Sequence, residues 1–331
     1  MERPGPEELS MVDRLLGKRA PDANGHLPPD VGLIVDAAMI ARSRVSAWEA
    51  VQLARDVKRP HALDIIERVF DRFQELHGDR LFRDDPAIVG GIADLEGRPV
   101  VVVAQQKGAS TEENIRRNFG MPYPEGYRKA IRLYRLAEKF RLPLITLVDT
   151  PGAYPGPEAE ERGQAEAIAK SIEALVRLAT PVVVVVIGEG GSGGALALGV
   201  GDVLFALQNA MYSVISPEGA AAILFRSNTE AERAATALKL AAPDLLELGV
   251  VDALIPEPPG GAHTDHEATA RSVRTALQAQ VERLSQVPVA DLLSARYERF
   301  RGIGVFVEPA ATEPAAKPRP WWKRAIELGW P

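Results

Sequence analysis

The chain has 331 residues, 46% of them apolar and 25% charged, with a formal net charge of −6. That balance is ordinary for a globular protein, and it supplies no overall basic field to draw in nucleic acid. Cysteine is absent, which excludes disulfides, a thiolate nucleophile and cysteine zinc sites.

Residues 1–30 are rich in proline, glycine and charge and are expected to be loose. The first eight are polar and do not read as a signal peptide. No apolar run approaches the ~20 residues that span a membrane, so a cytoplasmic protein is expected. Leu33, Ile34, Ala37, Ile40 and Ala41 recur at helical spacing. They predict a helix over 31–56, continued by Trp48, Val51, Leu53 and Ala54 and stopped by Pro60. A second helix is expected from Leu63 to Leu76, with Ile65, Ile66, Val69, Phe70 and Phe73 on one side.

Ile88 to Leu95 and Pro99 to Ala104 predict two strands joined as a hairpin at Glu96 and Gly97. Gln105 to Gly108 leave the second strand and lead into a polar stretch that carries Arg116 and Arg117. Pro124 opens a helix to Phe140. The next strand, Leu144 to Val148, runs into a loop crowded with glycine and proline, Asp149-Thr-Pro-Gly-Ala-Tyr-Pro-Gly156, which constrains Tyr154. A helix is expected from Ala159 to Leu178.

Val182 to Ile187 is an unbroken, mostly β-branched apolar run, suited to a strand buried on both faces. Gly188 to Gly194 then holds five glycines in seven residues, and Ala195 to Leu198 favours helix. Strand, glycine turn, helix is a place where bare N–H groups can meet a ligand oxygen. Met211 to Ile215 reads as a strand. Ser216, Pro217 and Glu218 open a helix as N-cap, first residue and first-turn acid. A helix over 229–248, a strand from Val250 to Ile255 stopped by Pro256, a loop to His266 and a helix from Glu267 to Leu284 complete the ordered part. Beyond Val305 the chain is rich in proline and alanine and ends in a tryptophan-rich segment, open either to a partner or to packing on its own domain. The expected division is 1–60 helical, 61–258 core, 259–302 helical and 303–331 tail.

The middle of the chain thus repeats strand, special loop, helix, with the loops beginning at Gln105, Asp149, Gly188 and Ser216. In a layered α/β fold such loops converge, and ligands bind there. The glycine stretch itself fits three patterns. Gly188 to Gly193 spells the dinucleotide fingerprint, but no acidic residue ends the next strand, Val203 to Leu207. Gly190 to Gly194 spells the nucleophile elbow around Ser192, and Asp202, Asp244 or Asp252 followed by His263 or His266 would be in the right order. The doubled glycines also suit an oxyanion pocket with no side-chain nucleophile. The five histidines include no H-E-x-x-H pattern, which argues against a zinc enzyme.

The segments Ala87-Ile-Val-Gly-Gly-Ile-Ala93, Ile115-Arg-Arg-Asn-Phe-Gly-Met-Pro122, Pro124-Glu-Gly-Tyr-Arg-Lys-Ala130, Asp149 to Gly156, Val186 to Ala197 and Tyr212-Ser-Val-Ile-Ser-Pro-Glu-Gly219 stand in one order. In this the chain resembles the alpha subunit of bacterial acetyl-CoA carboxylase carboxyltransferase, over about residues 47 to 263. The resemblance is poorer at the two ends. It implies a crotonase-like α/β fold, a superhelix of ββα units, preceded here by the N-terminal helical segment. It implies transfer of a carboxyl group from carboxybiotin, held on a separate biotin carboxyl carrier protein, to acetyl-CoA. The product would be malonyl-CoA for fatty-acid synthesis. It further implies a zinc-ribbon beta subunit, an alpha2beta2 assembly and a biotin carboxylase alongside. No metal is expected in this chain, and with no cysteine the beta part must be another chain.

Such chemistry puts negative charge on a thioester enolate and on the released ureido oxygen. Backbone N–H groups aimed at such an oxygen stabilise it, each typically worth about 10²–10³ in rate. The N–H groups of Gly193 and Gly194, with Gly191 nearby, are the expected oxyanion hole. Arg116, Arg117 and Lys107 are candidate binders of CoA phosphates or of the carboxylate in transit. Tyr154 is a candidate wall of the biotin pocket. Glu218 reads as a helix N-terminal acid.

Overall fold

The computed structural model describes residues 44–304. The expected helical residues 31–43, the loose N-terminus and the tryptophan-rich tail lie outside them. The described chain begins with α1 (Ala47–Ala54), whose N-terminus is capped by the Ser46 hydroxyl accepting from the Glu49 N–H. Helix α2 (Ala62–Val69) buries Ala62, Ile65, Ile66 and Val69.

The second helix is shorter than its expected end at Leu76. Phe70 turns extended, and Arg72–Glu75 forms strand β1, paired antiparallel with β2 (Ile88–Leu95). Nothing in β1 is fully buried, so the apolar alternation that marks a strand is absent from its sequence. Its partner carries the clearer mark: a Cβ on Gly91 would lie 2.9 Å from the Glu75 Cα, so glycine there lets β1 close in. Strand β3 (Arg98–Gln105) follows through the expected hairpin. Glu96 and Gly97 have φ of 51° and 78°, the left-handed pair of a type I′ turn.

The polar stretch folds as α3 (Thr111–Arg116) and a single turn, Asn118–Gly120, before α4 (Pro124–Phe140). Strand β4 (Leu144–Thr150) is buried throughout. The single helix expected from Ala159 is two, α5 (Pro157–Glu161) and α6 (Gln164–Arg177), parted by Gly163 at φ 81°. Strand β5 (Val182–Gly191) is longer than expected: it runs through the first glycines. Helix α7 (Ser192–Leu196) starts earlier and is only five residues long.

Next come β6 (Val203–Leu207), β7 (Met211–Ser213) and α8 (Pro217–Phe225). The helix expected over 229–248 is α9 (Ala231–Leu238) and α10 (Ala242–Glu247), broken where Lys239 turns left-handed at φ 49°. Strand β8 (Ala253–Ile255) and helices α11 (His266–Ser285) and α12 (Val289–Arg301) complete the described chain.

One sheet runs β1-β2-β3-β4-β5-β6-β8. The first three strands are antiparallel and the rest parallel. The extra length of β5 serves two partners: Val183–Val186 pair with β6, and Glu189–Gly191 pair with β7. A register shift between Val148 and Thr150 bends β4 against β5 at the same level. The special loops after β3, β4 and β5 therefore leave neighbouring strand ends. Arg296 of α12 is fully buried and donates to the Leu175, Leu178 and Thr180 carbonyls and to Asp202, tying α12 to the sheet side of α6. Among the described residues no helix is long and apolar enough to cross a membrane.

Candidate active site

The glycine turn sits where β3, β4 and β5 end. A five-residue helix has no stability of its own, and α7 is held by side chains from its neighbours. The buried Gln105, last residue of β3, donates to the Gly194 carbonyl at 2.6 Å and accepts the Asp149 N–H at 3.2 Å. The Ser171 hydroxyl donates to the Ala197 carbonyl at 2.7 Å, and the Thr146 hydroxyl to the Leu198 carbonyl at 2.8 Å. All three side chains are buried. The acceptors at the rear of α7 are thus fixed by the core.

The front of α7 is different. Gly193 and Gly194 are its second and third residues, so their N–H groups have no acceptor within the helix. Among the described residues they donate to no backbone acceptor elsewhere.

Packing explains four of the five glycines. A Cβ on Gly188 would lie 2.5 Å from Asp149 Oδ1, and one on Gly194 would lie 2.5 Å from Ala153 N. One on Gly190 would press on the Tyr212 ring at 3.0 Å, and one on Gly191 would meet the backbone of Pro151 and Gly152. Gly193 is the exception: its nearest neighbours would be the Ile168 methyls at 3.7 Å, an ordinary contact. The loop after β4 therefore lies directly on Gly191 and Gly194, while Gly193 stays half-buried with room beside it.

Beneath the turn runs a line of alternating charges. Glu218 Oε1 is 2.7 Å from Arg55, whose Nε is 2.6 Å from Glu189 Oε1. Glu189 Oε2 is 2.7 Å from Lys107 Nζ, which is 2.8 Å from Asp149 Oδ1. His61 Nδ1 stands 3.5 Å from Asp149 Oδ2, and neither ring nitrogen makes a hydrogen bond. Burial alone would lower the Lys107 pKa, but Asp149 and Glu189 outweigh it and hold the ammonium charged. Burial would raise Asp149, and Lys107 with His61 reverses that, keeping its carboxylate ionised.

The residues expected to bind substrate fall in different settings. Lys107 is paired with two carboxylates and only 13% of its side chain is exposed, so it offers no spare charge to a phosphate. Arg117 is buried, bonded to Glu113 and to the Pro86 carbonyl. Arg116, in contrast, is 64% exposed, with Glu113 at 3.6 Å. Beside it Ile115 and Phe119 are also exposed. Tyr154 is half-buried and packs against Tyr123 with ring centroids 4.6 Å apart and the planes tilted by 50°. Its N–H donates to the Pro122 carbonyl, which ties the β4 loop to the end of the polar stretch.

The elbow pattern loses its acids. Ser192 is exposed at φ 51°. Asp202 is paired with Arg296, Asp252 with Arg299 and Asp244 with Arg44. His266 Nε2 lies 2.7 Å from the Lys58 carbonyl. Glu218 pairs with Arg55, and the first-turn N-cap bond comes from Ser216 as expected. Sequence reasoning did not single out Arg55, His61, Gln105, Asp149 or Glu189. Gln105 and Asp149 stood at the starts of the special loops, where a polar residue ending an apolar strand was the available mark.

A family model described as "Acetyl co-enzyme A carboxylase carboxyltransferase-like" matches residues 37–304. Among curated proteins, the acetyl-coenzyme A carboxylase carboxyl transferase subunit alpha of Methylococcus capsulatus is 57% identical over 268 residues, 81% of this chain and 84% of that protein. The subunit of the same name from Thermus thermophilus is 58% identical over 265 residues, 80% of this chain and 85% of that one. Among solved structures, transcarboxylase 12S with methylmalonyl-coenzyme A and methylmalonic acid bound aligns with a TM-score of 0.54 at 24% identity. It covers 75% of this chain, which spans 45% of that one. That last likeness is one of fold, the crotonase-like architecture.

Proposed function

The chain belongs to the acetyl-CoA carboxylase carboxyltransferase alpha family, and from that premise we propose that it transfers the carboxyl group of carboxybiotin to acetyl-CoA, giving malonyl-CoA. The observation that carries this reading is the front of α7: two N–H groups without helical acceptors, on a turn held from behind by Gln105, Ser171 and Thr146.

When the carboxyl group leaves, negative charge collects on the ureido oxygen of the carried biotin. The N–H groups of Gly193 and Gly194 stabilise that charge, and they do so without reorganising because α7 is already fixed. The space beside Gly193 leaves room for that oxygen. Gly191 fills a different role, letting the Pro151–Ala153 backbone lie against the turn. Arg116, exposed and only loosely paired with Glu113, is a cation for a phosphate or carboxylate, and Tyr154 with Tyr123 gives an aromatic wall. No side-chain base is needed, since the freed biotin nitrogen can take the acetyl proton.

A beta subunit with a zinc ribbon supplies the second hole, for the thioester, in an alpha2beta2 assembly. A biotin carboxyl carrier protein brings the biotin, and a biotin carboxylase recharges it. The setting is cytoplasmic. Residues 61–258 form the transferase core, with 1–60, 259–302 and 303–331 around it.

The test is malonyl-CoA-dependent carboxylation of free biotin by this chain alone, a beta chain alone and the two mixed. Activity is expected in the mixture only. A well-folded mixture that works on another acyl-CoA but not on malonyl-CoA would overturn the substrate, and one that works on none would overturn the transfer itself.

A further inference from the structure

The segment before the sheet reaches into the site at both ends of the charged line. Arg55 caps the C-terminus of α1, and His61 caps the N-terminus of α2. Between them Arg59 donates to the Ile187 carbonyl at 2.8 Å and pairs with the buried Glu257 at 2.5 Å. The segment therefore grips β5 twice, at Ile187 and at Glu189, just before the glycine turn. Glu189 is only 5% exposed, and its own N–H donates to Asp149 Oδ1 at 3.0 Å.

We propose that Arg55 is a positioning residue for the transfer reaction: by holding Glu189 it sets the glycine turn, which makes the N-terminal segment part of the site's frame. The role in transfer rests on the function proposed above. The charge arithmetic supports it. Asp149 and Glu189 are buried carboxylates with one ammonium, Lys107, between them. Arg55 is the second cation, and it shares itself with the more exposed Glu218. Without Arg55, Glu189 keeps only Lys107, which it shares with Asp149. Like charges in a low dielectric repel, and the carboxylate nearer water moves outward. Glu189 is the one that moves, and it lies two residues before Gly191 in the same strand.

Another arginine provides the control. Arg44 ties the same segment to Asp244 and Glu247 on α10, away from β5. If the segment mattered only as a covering, loss of either arginine would act alike.

The experiment compares the assembled enzyme carrying Arg55→Met, Arg55→Lys or Arg44→Met by amide hydrogen exchange and by turnover. Exchange in residues 188–196 is expected to rise by about tenfold or more in Arg55→Met. Turnover should fall by about tenfold, with KM for the acyl-CoA within about twofold. Arg55→Lys should recover part of both, since an ammonium can meet one of the two carboxylates. Arg44→Met should match the unaltered enzyme. If Arg55→Met leaves exchange at the turn unchanged, or if Arg44→Met reproduces its effect, the proposal falls. Should Arg55→Met fail to fold, Arg55→Gln serves in its place: it keeps a donor for Glu189 but not the charge, exchange at 188–196 should still rise, and unchanged exchange there overturns the proposal equally. A rise in exchange in an assembly that transfers no carboxyl group would support the coupling and sink the transfer reading.

Discussion

Alanine at Gly194 and alanine at Gly193 should differ by about a hundredfold in turnover. At Gly194 the added Cβ would lie 2.5 Å from Ala153 N and from Gly152 C, where an ordinary contact is 3.4–4 Å. The two backbones must part by about 1 Å to make room. The β4 loop resists, because Thr150 Oγ1 lies 2.6 Å from the Gly120 carbonyl and 2.7 Å from that of Gly152. Helix α7 is then the part that shifts, carrying its N–H groups with it. A misplacement of about 1 Å can cost ~10² in rate, and the overpacking itself about 1–3 kcal/mol of stability. At Gly193 the Cβ would meet only Ile168 at 3.7 Å, and alanine favours helix by up to ~1 kcal/mol. Gly193→Ala should therefore fold at least as well as the unaltered chain and keep turnover within a few-fold. The assay is kcat of the biotin carboxylation half-reaction with the thermal midpoint of each variant alongside. Equal losses at the two positions, or full activity in Gly194→Ala, would refute the reasoning.

Three further outcomes rest on ion pairs. Lys107→Met leaves Asp149 and Glu189 without the cation between them, a loss expected at about 3–5 kcal/mol; a denaturant midpoint shifted by under ~1 kcal/mol would show that the pair is tolerated uncompensated. Arg296→Met strips four acceptor groups of a buried guanidinium and should cost a comparable ~3–5 kcal/mol in one cooperative transition. A separate early melting of α12 would contradict that. Acid should weaken the fold through Asp84. Burial alone would raise its pKa, but Lys129 and the Gly78 N–H outweigh burial and hold it at about 2, below the ordinary 3.8. Its contribution is thus full above the ordinary value and lost as pH falls toward 2. Asp84→Asn should flatten the stability curve in that window, and an unchanged slope would exclude the pairing as its cause.

Where local chemistry decided structure, the sequence was enough. The hairpin at Glu96 and Gly97, the Pro124–Phe140 helix and the Ser216 cap each carried their own residue signature. The misses came where distant residues decided. Strand β1 closes onto the space at Gly91, sixteen or more residues away in the chain, and carries no pattern of its own in Arg72–Glu75. The break at Lys239 turns on a left-handed lysine with no glycine to mark it, whereas Gly163 is a mark that the helix expected from Ala159 passed over. At the site, the density of glycine marked the right turn, but it could not show that Gly193 alone has room beside it. Nor could it show that Lys107, which reads as a free cation, is spent on Asp149 and Glu189. A line of charges drawn from five separate stretches has no local pattern to read.

On the function proposed above, the front of α7 receives the ureido oxygen of biotin. A crystal structure of the assembled enzyme with biotin bound tests it most directly. That oxygen should lie within about 2.7–3.1 Å of both the Gly193 and Gly194 nitrogens. A bound biotin whose oxygen meets neither nitrogen, with its ureido ring held by other groups, would contradict it.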